Sequence, residues 1–229
     1  MYKTALVVAA HPDDEVLGCG ATIARLVSEG WDVHVLIVAE GATSRSVKRD
    51  PSIFQGELSS LTKCAETANK ILGSTSIKLY SLPDNRLDGV ELLDVVKLIE
   101  AEIECYKPSM VLTHHTSDVN IDHRVLHNAV ITACRPQPLH PVKTLLFFEV
   151  PSSTEWCPPA SGICFAPNYF YDTTAFLDKK LEALQAYEPE MRSFPHPRSI
   201  EAVEHLARWR GATIGSAAAE AFMLGRIIL

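Results

Sequence analysis

The sequence predicts an α/β fold: a Rossmann-like, mostly parallel, doubly wound sheet with helices on both faces and an elaborated C-terminal segment. Two observations carry this. Short apolar runs alternate with longer stretches whose apolar residues recur at helical spacing, which is the β-α repetition of such folds. The first run is apolar throughout instead of at every second position, as a strand covered on both faces requires. At 229 residues the chain also has the length of one such domain with a tail, and can bury a sizeable core.

The elements follow in order. "KTALVVAA" (3–10) is the first strand, and "EVLGCGATIARLVSEG" (15–30) a helix that stops at Gly30. "WDVHVLIVAEG" (31–41) is a second strand, "LSSLTKCAETANKILG" (58–73) a second helix and "SIKLYSLPD" (76–84) a third strand. The helix "VELLDVVKLIEAEIECY" (90–106) is closed by Pro108 after Lys107. A fourth strand "SMVLTHH" (109–115), a fourth helix "HRVLHNAVITACR" (123–135) and a fifth strand "VKTLLFFEV" (142–150) complete a core over 1–150. In 151–229 the pattern loosens into a Pro-rich segment and two helical stretches at 174–188 and 199–227. The aromatics Trp156, Phe165, Tyr169, Phe170 and Tyr171 make 151–172 a candidate lid over a ring-shaped ligand, with core or oligomer contact as the alternative.

Composition excludes several classes. A net charge of −7 argues against binding nucleic acid or an anionic membrane surface. No stretch approaches the ~20 apolar residues of a membrane span, and acids follow the N-terminal apolar run too soon for a signal peptide. Six cysteines without a CxxC pair read as reduced thiols, hence a cytoplasmic protein.

The chemistry concentrates at two strand ends. After the first strand comes "HPDDE" (11–15), with His11 and Asp14 three apart in a turn where both can reach one ion. Acids at a helix start satisfy the dipole without any metal, but leave His11 idle. After the fourth strand comes "THHTSDVNIDHR" (113–124), with Asp118, Asp122 and His123. With strand order 3-2-1-4-5 the first and fourth strands are neighbours, and both clusters meet at the crevice where such sheets bind ligands. Two histidines and one carboxylate with an open position are the donor set of a hydrolytic zinc site.

"AHPDDE" together with the distal D-x-x-x-D-H at 118–123 resembles the PIG-L/LmbE superfamily of zinc-dependent N-deacetylases. "LPDNRLD" (82–88) and "RGATIGSAAAEAF" (210–222) extend the resemblance over nearly the whole chain. It implies one Zn²⁺ per chain, held by His11, Asp14 and His123. It implies Asp13 as the general base acting on the metal-activated water, and Asp122 as the residue that holds an imidazole in its tautomer. The implied substrate is a small-molecule N-acetyl amino sugar or glycoconjugate, with homo-oligomerisation left open.

The family pattern usually has "H-P-D-H" where this chain has "N-I-D-H". Asn120 therefore stands at the place of an oxyanion histidine; it can donate a hydrogen bond but carries no charge. His196 in "FPHPRS" is the alternative, as is His114 or His115. Leu61 and Cys64 stand where relatives often have Arg and Glu, which leaves Arg45 as a candidate substrate contact or a plain loop arginine. A receiver-like phosphoacceptor domain lacks its lysine at the end "FFEVP" and has no use for His11 and His123. A dinucleotide-binding loop lacks its third glycine, since "GCGATI" has Ile23 there. A non-catalytic metal-binding module of the same fold is the remaining alternative.

Overall fold

The structure is a computed structural model that describes residues 3–158 and 164–229. Seven strands form one sheet: β1 (Thr4–Ala9), β2 (Asp32–Ala39), β3 (Ser76–Leu82), β4 (Met110–His114), β5 (Thr144–Phe148), β6 (Tyr169–Asp172) and β7 (Ala219–Ile227). Their order is β3-β2-β1-β4-β5-β7-β6. The first five strands pair in parallel, whereas β7 runs antiparallel to both β5 and β6. Among the described residues, six α-helices connect them: α1 (Asp14–Ser28), α2 (Gln55–Leu72), α3 (Leu92–Tyr106), α4 (Ile121–Ala133), α5 (Leu177–Gln185) and α6 (Ile200–Ala212).

The unbroken apolar run of β1 has a direct cause. Ala5, Val7 and Ala9 pack into a core with α1, α2, α5 and α6, while Leu6, Val8 and Ala10 pack into a second core with α3 and α4. Both faces are covered, so from Ala5 to Ala9 both parities of the strand carry apolar side chains. Helix ends follow local chemistry: α2 stops on Gly73 at φ +84°, and α3 on Lys107 at φ +48°, one residue before Pro108.

Beyond residue 150 the structure corrects the sequence reading. The expected helix at 199–227 is α6 to Ala212, then a turn through Gly215 at φ +77°, then strand β7. The alanines of "AAAEAF" favour helix locally, but Ala219, Ala221 and Phe222 pack against the sheet's neighbours and tertiary pairing prevails. Gly225 has a specific role there, because a Cβ would lie 2.6 Å from the Phe147 ring. The candidate lid is also partly sheet: Tyr169–Asp172 is β6, and Tyr171 lies in the core. Part of that segment, 159–163, lies outside the described residues.

The switch of strand order at β1 and β4 positions the site. Because β1 to β4 run parallel, the loops that follow each of them leave the sheet at the same end.

Candidate active site

The first cluster is built by a sharp turn from β1 into α1. Asp13 sits at φ +104°, a left-handed conformation that costs a non-glycine residue strain. Its carbonyl accepts from Val16 N and Leu17 N at 3.0 and 2.9 Å, which starts the helix. Its own N–H donates to Glu15 Oε2 at 3.1 Å. Glu15 is fully buried, and its other oxygen accepts from Tyr187 Oη at 2.7 Å and Asn69 Nδ2 at 3.0 Å. The strained turn is thus held by a satisfied buried carboxylate from the first turn of α1.

The second cluster is built by the loop from β4 into α4. Asn120 caps α4, its Oδ1 accepting from Asp122 N at 2.9 Å. Asp122 accepts from Asn85 N at 2.7 Å and Leu87 N at 2.9 Å, and lies 3.0 Å from His11 Nε2. Asp84 Oδ1 is 3.3 Å from the same nitrogen. Carboxylates only accept, so Nε2 carries the proton in neutral His11 and Nδ1 keeps its lone pair. His123 is arranged with the nitrogens reversed. Its Nδ1 faces Asp118 Oδ2 at 3.0 Å, leaving Nε2 with the lone pair. Asp118 is itself held by Ser153 Oγ, by Thr154 Oγ1 at 2.8 Å and by Asn120 N at 2.8 Å.

Both lone pairs converge on one atom. Asp14 Oδ2 lies 3.3 Å from His11 Nδ1 and 3.1 Å from His123 Nε2, the latter without hydrogen-bond geometry. Three electron-rich atoms so close repel unless a cation or protons lie among them. Ligands of a tetrahedral ion at ~2.0–2.1 Å stand about 3.3 Å from one another, so this trio could hold a metal ion. His11, Asp84 and Asp122 form a second acidic group that shares His11.

The titration behaviour expresses the same demand for positive charge. Burial disfavours the charged form of His123, yet Asp14 and Asp118 lift it to about 9. His11 rises well above its ordinary value against the same burial, through Asp122, Asp14 and Asp84. Burial works against an ionised Asp14, but the surrounding histidines hold it well below the carboxylate range. Burial pushes Asp13 up to about 8, with Arg198 opposing and Asp14 and Glu15 adding.

Around the trio is a polar cavity of about 150 Å³ lined by Asp13, Asp84, Asn120 and Arg198, with Arg45 and Glu190 among its other walls. Arg198 Nη1 reaches Asp13 Oδ2 at 3.2 Å, and its Nε donates to Ser152 Oγ at 3.1 Å. The structure brings His11, Asp13, Asp14, Asn120, Asp122 and His123 together. Arg45 lies on the cavity wall, paired with Glu57 and with Glu190 at 2.8 Å. His196 does not line it; its Nδ1 accepts from Arg198 N at 3.0 Å and its ring packs edge-on against Trp156. His114 Nε2 accepts from Ala10 N at 2.9 Å, and His115 Nδ1 from Ser117 N at 3.1 Å, so both have local partners. The sequence reading passed over Arg198, Ser153, Thr154 and Tyr187, which arrive from loops without a local signature.

The model of one family, PIG-L (GlcNAc-PI de-N-acetylase), matches residues 6–134, over half of the chain. The chain belongs to the PIG-L family. An uncharacterized deacetylase of Escherichia coli, YaiS, is 31% identical over 192 residues, covering 81% of this chain and 91% of YaiS. A probable N-acetyl-alpha-D-glucosaminyl L-malate deacetylase 2 of Bacillus cereus is 24% identical, covering 83% of this chain and 84% of that protein. The family fold also carries other chemistry. A 4-oxalmesaconate hydratase of Pseudomonas putida is 26% identical over 80% of this chain and 72% of its own. The crystal structure of Pseudomonas putida GalB, titled 4-carboxy-2-hydroxymuconate hydratase, superposes with a TM-score of 0.73 at 22% identity, covering 99% of this chain and 98% of that one. The PIG-L match ends at the close of α4, so Ser153, Tyr187, Glu190 and Arg198 come from outside it.

Proposed function

We propose that this PIG-L protein is a zinc-dependent N-deacetylase that removes an acetyl group from an N-acetylated amino sugar or its conjugate. The observation that carries the reading is the convergence of His11 Nδ1, His123 Nε2 and Asp14 Oδ2, with both imidazoles oriented by carboxylates on their far nitrogens. One zinc per chain bound there by His11, Asp14 and His123 would acidify water and polarise an acetamide carbonyl. Asp122 and Asp118 fix the tautomers that make those two nitrogens donors.

The remaining steps belong to the chain. Asp13 lies next to a ligand in sequence, outside the trio, and Arg198 bonds one of its oxygens. The other oxygen takes a proton from the attacking water as the C–O bond forms. Asp13 then returns that proton to the departing nitrogen as the C–N bond breaks, giving the amine and acetic acid, whose proton passes to solvent to leave acetate. Arg198 and a nearby dication both favour the carboxylate form that this role needs. Asn120 spends Oδ1 on capping α4, so its amide N–H groups remain for the negative oxygen that develops. Arg45 at the cavity wall is the candidate contact to the rest of the substrate.

Support for deacetylation over hydration comes from the family match and from the two deacetylases above, one of them named for a glucosaminyl substrate. Zinc-loaded protein is to be incubated with a panel of N-acetylglucosamine conjugates, with acetate and primary amine measured together. Equimolar release of both is expected. Zinc-loaded protein that hydrates an unsaturated dicarboxylate and releases no acetate from any member would overturn the reading.

A further inference from the structure

Helix α1 carries Asp14 at its first position, and it is broken. Cys19 has φ −151° and ψ +24°, which separates a short segment, Asp14–Gly18, from the long one that packs on the sheet. A break inside a buried helix frees backbone groups on both sides, and each must find a partner. Glu220 of β7 meets the amides of the second segment, with Oε1 accepting from Ala21 N at 3.1 Å and Oε2 from Thr22 N at 2.6 Å. Lys180 of α5 meets the carbonyl of the first, its Nζ donating to Leu17 O at 2.8 Å. The two side chains are 2.6 Å apart, and each is about 5% exposed or less.

The charges suit their places. A carboxylate sits at the N-terminal, electropositive end of one segment, and an ammonium at the C-terminal, electronegative end of the other. Neither could be reversed without placing a like charge on each helix end. Gly18 brings the short segment directly against Phe148, since a Cβ there would lie 2.3 Å from that ring. The direction in which Asp13 and Asp14 are presented therefore depends on two residues more than 160 positions away in the chain.

We propose that Lys180 and Glu220 are positioning residues for the active site, an ion pair that holds the break in α1 and so sets Asp14 against His11 and His123. The proposal rests on the zinc-site reading for its consequence in function. Both residues lie beyond the span of the PIG-L match, so the C-terminal part of the chain orients the motif in the N-terminal part.

The test uses the full chain and the variants Glu220→Gln and Lys180→Met, with the exchanged pair K180E/E220K as a third. Amide hydrogen exchange at Ala21 and Thr22, zinc affinity by chelator competition, and kcat and KM are measured where circular dichroism shows each variant folded. Expected are reduced protection at those amides in Glu220→Gln and, in both single variants, zinc affinity weakened at least tenfold and kcat lowered at least tenfold with KM within about twofold. The exchanged pair keeps opposite charges but opposes both helix ends, so it should not restore zinc affinity. Lower melting temperature with zinc affinity and kcat unchanged would show a pair that only stabilises, and would overturn the proposal. So would an exchanged pair that binds zinc as the wild type does. If wild type binds zinc and releases no acetate, the deacetylase reading fails and the affinity ratio alone decides this one. A wild type that takes up no zinc overturns both.

Discussion

Asp13 and Asp14 are adjacent aspartates with opposite electrostatic settings. Burial drives Asp13 up to about 8, whereas the histidines around Asp14 overcome burial and hold it far below the carboxylate range. The left-handed turn at Asp13 produces the difference by sending the two side chains to different neighbours, one to Arg198 and the other between His11 and His123. The two positions should therefore respond differently to the same isosteric change. Asp13→Asn is expected to keep zinc and lose activity by roughly 10² to 10⁴-fold. Asp14→Asn should weaken zinc binding itself, by metal analysis after dialysis against a weak chelator. Zinc retained in Asp14→Asn and lost in Asp13→Asn would exchange the two roles. The motif was legible because a histidine and two aspartates are packed into four residues, 11–14. Arg198 was not, because a lone loop arginine acquires meaning only when the fold closes a separation of 185 residues.

At the scale of elements, α4 shows how one residue can serve structure and chemistry together. Asn120 caps the helix with its oxygen, and the proposed oxyanion contact uses its nitrogen. Asn120→Ala removes both, whereas Asn120→Asp keeps an acceptor for Asp122 N and removes the donor. The cap is worth about 0.5–2 kcal/mol, so only the alanine variant should lose stability by that amount in a denaturant titration. Both should lose kcat by roughly 10 to 10³-fold with zinc retained. His196→Ala is expected to stay near wild type, because its ring packs on Trp156 outside the cavity walls. A crippled His196→Ala beside an active Asn120→Ala would transfer the oxyanion role to the histidine. The five parallel strands and four helices up to residue 150 were legible from periodicity, since burial on both sheet faces leaves an unbroken apolar run. Strand β7 was not. Its alanines carry a helical preference, and only pairing with β5 and β6 makes it a strand.

For the whole molecule, the acidic cluster ties stability to pH and, under the proposed function, to metal. Between about pH 6.5 and 9 the folded chain keeps protons that the unfolded chain releases. His123 holds one to about 9, His11 is raised well above its ordinary value, and Asp13 holds one to about 8. Stability falls with rising pH wherever the folded state binds more protons, so the stability that each of these protons contributes is lost as pH rises through that window. His34, His114, His115, His127 and His140 are shifted the other way. Unfolded, they lose their protons around pH 6.5, so only from about 7.5 are they neutral in both states and without an opposing slope. Asp84 and Asp118, both lowered to about 2, act only in acid, where their contribution is lost as pH falls from about 4 through 2. With chelator present, the melting temperature should therefore drop between about pH 7.5 and 9, the His123 proton alone accounting for on the order of 2 kcal/mol. Zinc bound as proposed would displace the protons on His11 Nδ1 and His123 Nε2, so its binding should strengthen over the same window. The rise in melting temperature on adding one equivalent of zinc should be larger at pH 8.5 than at pH 6.5. A zinc effect equal at the two pH values would separate these protons from the metal, and His11 and His123 would then not be its ligands.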